Sequence, residues 1–183
     1  IVNCKRVVGI DYELESLLKN NSINLKVRGD ITTLPFKNQT FDIITSNMVV
    51  EHVKYPENML KEIYQILKPN GIFIFHTPNF KGYSALISYI IPSFLHKKLI
   101  YWIDKRKEED TFKTYYLINT TDAIRKIATR TGFKIKELKL LTSSARLIIC
   151  PPLVIIELLW IRMLMTKLFK KLRTNIISVL EKN

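Results

Sequence analysis

Asp11, Asp30, Asn47, His52 and His76 each stand at or just past the end of a short apolar run. If those runs are strands of one open α/β sheet, these side chains share a purpose, because ligands there bind outside the carboxyl ends of the strands. An acid in that place can accept hydrogen bonds from both hydroxyls of a ribose, as Asp11 could. Asp30, an acid at the next strand end, could accept from the exocyclic amine of an adenine, and Ile31 could cover the base. Asn47 could meet an amino-acid end of a bound ligand. His52 or His76, with a near-neutral intrinsic pKa, could take up a proton during a reaction. Each residue also has a plainer use alone. Asp11 could cap a helix or hold a turn, Asp30 could begin an Asx-turn, and a histidine at an element boundary could be structural.

The elements that would position them can be read from the pattern. Arg6 to Asp11 (RVVGID) is a β-branched run closed by a charge, which predicts a strand. Glu13 to Asn20 carries Leu14, Leu17 and Leu18 at helical spacing. Leu25 to Arg28 predicts a second strand, Phe41 to Ser46 a third and Gly71 to His76 a fourth. Between the last two, Glu57 to Lys68 predicts a helix with Met59, Leu60, Ile63, Ile66 and Leu67 on one face, stopped by Pro69-Asn70-Gly71. After the apolar stretch Tyr83 to Leu95 and a second patch, Leu99 to Ile103, the rhythm resumes. Thr121 is expected to cap a helix ended by Gly132, and Phe133 to Leu141 predicts a strand. Pro151-Pro152 leads into an apolar helix that turns basic from Lys167 to Arg173, and Asn175 to Leu180 predicts a last strand. Strands alternating with helices imply a Rossmann-like, doubly wound, mostly parallel sheet.

The 183 residues suffice for one domain with a core, and 47% hydrophobic with 25% charged residues excludes a disordered chain. Cys4 and Cys150 cannot form a disulfide framework, and no metal-ligand spacing is present, so no metal is expected. The chain opens on Ile1 without a signal-peptide pattern, and a cytoplasmic location is expected. The net charge of +13 fits an anionic partner such as nucleic acid, a phospholipid surface or an acidic substrate. It fits equally a lysine-rich composition, because the lysines are scattered. Two apolar stretches followed by basic clusters, Tyr83 to Leu95 and Leu153 to Met165, suggest peripheral binding to an anionic membrane. Ile161, Leu164, Leu168 and Leu172 are expected to share a helical face there. Core packing or a homodimer interface would also account for them.

The order and spacing of the motifs carry more than any one residue. VVGID, GDITTLPF (Gly29 to Phe36), FDIITSNMVVEHV (Phe41 to Val53) and LKPNGIFIFHTPN (Leu67 to Asn79) together resemble the type 11 group of class I S-adenosylmethionine-dependent methyltransferases. The resemblance runs from Val7 to Asn79. It implies S-adenosyl-L-methionine as cofactor, with Asp11 at the ribose, Asp30 at the adenine amine, Ile31 on the adenine face and Asn47 at the methionine part. It also implies an antiparallel last strand. The group's first strand and glycine-rich loop precede VVGID, and this chain starts too late to contain them.

On this reading residues 1–183 are a single methyltransferase domain. Residues 1–79 form the cofactor-binding core, 80–118 an acceptor-side insertion, and 119–183 a helix, a strand, an apolar and basic helix, and the last strand. The reaction expected is direct displacement onto a small-molecule, lipid or sugar-intermediate acceptor, with His52 as candidate base. Ser46-Asn47-Met48-Val49 lacks the Asn/Asp-Pro-Pro-aromatic signature of enzymes that methylate nucleic-acid amines, which disfavours a nucleic-acid partner. The alternative is a non-catalytic, membrane-associated interaction protein derived from the same fold.

Overall fold

The computed structural model describes residues 6–82, 113–142 and 151–183. Most of the segment Tyr83 to Tyr116, including both of its apolar patches, lies outside the described residues.

Among the described residues the elements run, in order, β1 (Val8–Asp11), α1 (Leu14–Leu18), β2 (Leu25–Arg28), β3 (Phe41–Asn47), α2 (Pro56–Ile66), β4 (Leu67–Pro78), α3 (Thr121–Arg130), β5 (Phe133–Leu141), α4 (Pro151–Leu164) and β6 (Asn175–Lys182). Short 3₁₀ turns cover Val50–His52 and Lys170–Leu172. β1 and β2 form a parallel pair. The other four strands form a sheet ordered β3-β4-β6-β5, in which β3 and β4 are parallel and β6 is antiparallel to both its neighbours. The α/β class and the antiparallel last strand are therefore as expected. Among the described residues no ladder joins the two sheets, so β1 and β3 each have one strand neighbour.

The core belongs to the larger sheet. Along β4, Phe73, Phe75 and Thr77 are fully buried while Ile72, Ile74 and His76 are half-buried, the period-two alternation of a strand. Met59, Leu60 and Ile63 of α2 and Ile124 and Ala128 of α3 pack on the same cluster, with Phe133, Leu140, Ile176 and Leu180 from β5 and β6. The apolar spacing of α2, with Met59, Leu60, Ile63 and Ile66 at i, i+1, i+4 and i+7, is the reason it lies on this face.

Several boundaries differ from the sequence expectations. α1 is shorter than Glu13 to Asn20, and α2 ends at Ile66, not Lys68. Leu67 already pairs with Phe41 as strand, because Pro69 cannot continue a helix. In LKPNG it is Asn70 that adopts the left-handed φ of 60°. Gly71 is there for room: a Cβ would lie 2.7 Å from the Lys68 carbonyl oxygen. The open carbonyl end of α2 is closed by Lys182, whose Nζ donates to the Leu67 oxygen at 2.7 Å. Thr120, not Thr121, caps α3, its hydroxyl accepting from the Ala123 amide at 3.1 Å. Gly132, at φ 84°, ends that helix as expected. Finally, α4 stops at Leu164, so Ile161, Leu164, Leu168 and Leu172 share no helical face: Leu164 is buried and Leu168 exposed.

Candidate cofactor site

Asp11 closes β1 and pairs in register with Arg28, the last residue of β2. Asp30 follows two residues later, so both carboxylates stand at the carboxyl end of one parallel pair. Each also performs the local role considered for it. Asp11 Oδ1 accepts from the Glu13 amide at 2.9 Å. Asp30 Oδ1 accepts from the Thr32 amide and hydroxyl at 2.7 and 2.8 Å. These are Asx-turns. They use one oxygen of each acid and leave the other with no protein donor among the described residues, on exposed side chains. The turns thus orient the acids without consuming them.

The turn after Asp30 is fastened to the larger sheet's helical layer. Leu34 donates its amide to Glu62 of α2 at 3.1 Å, and Ile31 and Leu34 pack against the main core. Ile31 is half-buried, an apolar wall beside Asp30.

The ends of β3 and β4 supply a second cluster. Asn47 and His76 are register partners. The His76 Nδ1–H donates to Asn47 Oδ1 at 2.8 Å, and the Met48 amide donates to the His76 carbonyl at 2.9 Å. This hydrogen bond sets the neutral imidazole tautomer with its lone pair on Nε2. It also leaves the Asn47 amide N–H groups as donors. Met48 then takes a left-handed φ of 54°, a conformation uncommon for a non-glycine residue, and turns the chain into the 3₁₀ segment that carries His52. His52 is held through Nδ1 by the Lys113 carbonyl at 3.1 Å.

A buried polar chain under this end of the sheet was not foreseen. Glu51, only 4% exposed, accepts from the Thr77 hydroxyl at 3.0 Å, and Thr77 accepts from Asn119 Nδ2 at 2.6 Å. The Glu51 carbonyl takes the amides of Tyr115 and Tyr116 at 2.8 and 3.2 Å. The network ties the loop after β3 to the chain entering α3. Its sequence signal is an acid between Val50 and Val53, too slight to be read without the fold.

Elsewhere, an open cleft of about 610 Å³ lies between the start of α2 and α3, with Lys54, Lys126 and Arg130 on its walls. None of the candidate cofactor residues lines it. No group of three or more metal-ligating side chains occurs among the described residues.

Comparison with known proteins decides what family this arrangement represents. Residues 2–75 match the family model described as a methyltransferase domain. This segment belongs to the class I, type 11 methyltransferases. The methyltransferase segment is 35% identical over 71 residues to malonyl-[acyl-carrier protein] O-methyltransferase 1 of Coxiella burnetii, covering 39% of this chain and 24% of that protein. It is 31% identical over 74 residues to demethylmenaquinone methyltransferase of Lactobacillus johnsonii, covering 36% of this chain and 30% of that protein. The matched stretches thus span less than a third of these relatives. A solved S-adenosylmethionine-dependent methyltransferase from Mesorhizobium loti superimposes with a TM-score of 0.62 at 16% identity, covering 97% of this chain and 80% of that one. That likeness extends the methyltransferase fold over the C-terminal half. The family uses S-adenosyl-L-methionine, and the two outward acids, the apolar Ile31 and the Asn47 amide suit its hydroxyl, amine, aromatic and carboxylate groups.

Proposed function

We propose that this chain transfers a methyl group from S-adenosyl-L-methionine to a small-molecule, lipid or sugar-intermediate acceptor. The observation that carries the reading is the pair Asp11 and Asp30, both at the carboxyl end of the β1–β2 pair, each with one carboxylate oxygen kept out of its local turn. Asp11 binds the ribose hydroxyls and Asp30 the adenine amine. Ile31 covers the adenine face, and Asn47 donates to the methionine carboxylate. Residues 1–79 form the cofactor side and 80–118 the acceptor side.

The cofactor supplies an activated sulfonium methyl, open to direct displacement. The protein's share is alignment of the acceptor and exclusion of water. His52 is the base for an acceptor that must lose a proton. Its Nδ1 is anchored to the Lys113 carbonyl, which fixes the orientation of the ring. His76, anchored to Asn47, positions the residue that holds the cofactor's amino-acid end.

Calorimetry of the full-length protein with S-adenosylhomocysteine tests the reading. One-site binding that Asp30→Asn weakens supports it, together with label transfer from methyl-labelled cofactor. Absence of binding by the folded protein refutes it.

A further inference from the structure

Helix α4 is turned the opposite way from a helix packed on a water-soluble domain. Ile155, Leu158, Leu159 and Arg162 fall at i, i+3, i+4 and i+7, one face of the helix. Ile155, Leu158 and Leu159 are 61%, 53% and 62% exposed, with Ile156 beside them at 63%. The opposite face, Glu157, Trp160, Ile161 and Leu164, turns inward, and its carboxylate residue Glu157 is only 6% exposed. α4 thus keeps its acid inside and turns Ile155, Ile156, Leu158 and Leu159 outward, a face whose chemistry suits an apolar neighbour.

The orientation is anchored. Arg173 donates to the Leu164 and Met165 carbonyls at the end of α4 and to Leu140 of β5, each at 3.0 Å. Asn79, immediately after β4, donates to the Lys171 and Arg173 carbonyls at 3.0 and 2.7 Å. The end of α4 is thereby fixed at the carboxyl end of β4, the end that carries Asn47 and His76. Beyond the helix the exposed apolar residues continue with Met165 and Leu168, interleaved with exposed Lys167, Lys170 and Lys171. No described helix is long and apolar enough to cross a membrane.

We propose that the outer face of α4 and the basic turn after it seat the protein on an anionic lipid surface, with the site end of the sheet toward the bilayer. Apolar side chains enter the interface while Arg162, Lys167, Lys170 and Lys171 meet the headgroups. The proposal rests on the methyltransferase reading only for its consequence, an acceptor met at the lipid surface. The seating itself is independent of it.

Flotation of the full-length protein with phosphatidylcholine vesicles, with and without phosphatidylglycerol, tests it. The expected result is binding to the anionic vesicles that falls about tenfold or more from low to high salt. The Ile155→Ser/Leu159→Ser variant should lose it while keeping its circular dichroism and its affinity for S-adenosylhomocysteine. Lys167→Gln/Lys170→Gln, outside the helix, should weaken binding to anionic vesicles without changing the melting curve. Three results would overturn the proposal. One is no flotation at low salt. Another is flotation that Ile155→Ser/Leu159→Ser leaves intact, which is adsorption by charge alone. The third is a lipid-independent dimer that the same substitutions dissolve, which assigns the face to a second copy. Cofactor affinity is read separately, so failure of the methyltransferase reading would leave this test standing.

Discussion

The β1–β2 pair and the β3-β4-β6-β5 sheet divide the work of this molecule unequally. Among the described side chains, the larger sheet with α2 and α3 holds nearly every fully buried apolar one, while α1, β1 and β2 contribute Leu17 alone to the buried set. Yet the two acids proposed to meet the cofactor sit at the end of the thin pair. A binding end needs exposed carboxylates and backbone approachable from solvent, which a close-packed core cannot offer. Stability and recognition are thus separable by mutation, to a degree that a measurement can check.

The largest effect should come from the core. Phe73 is fully buried and stacks on Phe75 with ring centroids 5.1 Å apart. Phe73→Ala should lower unfolding free energy by about 3–5 kcal/mol, read by urea titration. A cost below that of a surface change would mean the larger sheet is not the stabilising unit. Asp11→Ala is the counterpart. It should leave the urea midpoint nearly unchanged and remove charge-assisted hydrogen bonds worth about 1.5–3 kcal/mol each to the cofactor ribose. Calorimetry showing unchanged affinity would break the ribose assignment.

Two smaller effects sharpen the division. Thr120→Ala removes the only side-chain hydrogen bond found capping a described helix start and should cost about 1 kcal/mol, with cofactor affinity unmoved. The last concerns acid. Lys68 donates to both oxygens of Asp42 at 2.8 and 2.9 Å, and this hydrogen bond, reinforced by the lysine's charge, holds Asp42 below the usual aspartate range. Asp122 is held down in the same way by Lys81. A carboxylate that is more acidic folded than unfolded adds stability above the ordinary aspartate range. That stability is lost as pH falls through the folded value. Both acids are exposed, so the effect is small. Lys68→Gln should flatten the acid limb of the urea-midpoint profile slightly; a steeper limb would contradict the sign.

Much of this was legible in the residues. VVGID, GDITTLPF and LKPNGIFIFH carry strand, turn and helix-stop chemistry within a few positions of one another, and Asp11 and Asp30 stand where that reading put them. The differences lie where composition leaves equal candidates or where distant residues decide. Thr120 and Thr121 are equal capping candidates on composition, and only the bond to Ala123 distinguishes them. The Glu51–Thr77–Asn119 chain joins residues far apart in sequence, so no local pattern announces it.

By itself the sequence determined the alternation of strands and helices, because side-chain periodicity and Pro, Gly and Asn act within a few residues. It also determined which acids and amides stand at strand ends, and so the class of ligand they could meet. The tertiary structure decided the partition into two sheets, the place of β6 between β4 and β5, and the face that α4 turns outward. The helix shows the reason. Its residues are apolar nearly all round, so no moment along the sequence selects an inner side. The choice falls to Arg173 and Asn79, whose hydrogen bonds to distant carbonyls form only once the sheet is assembled.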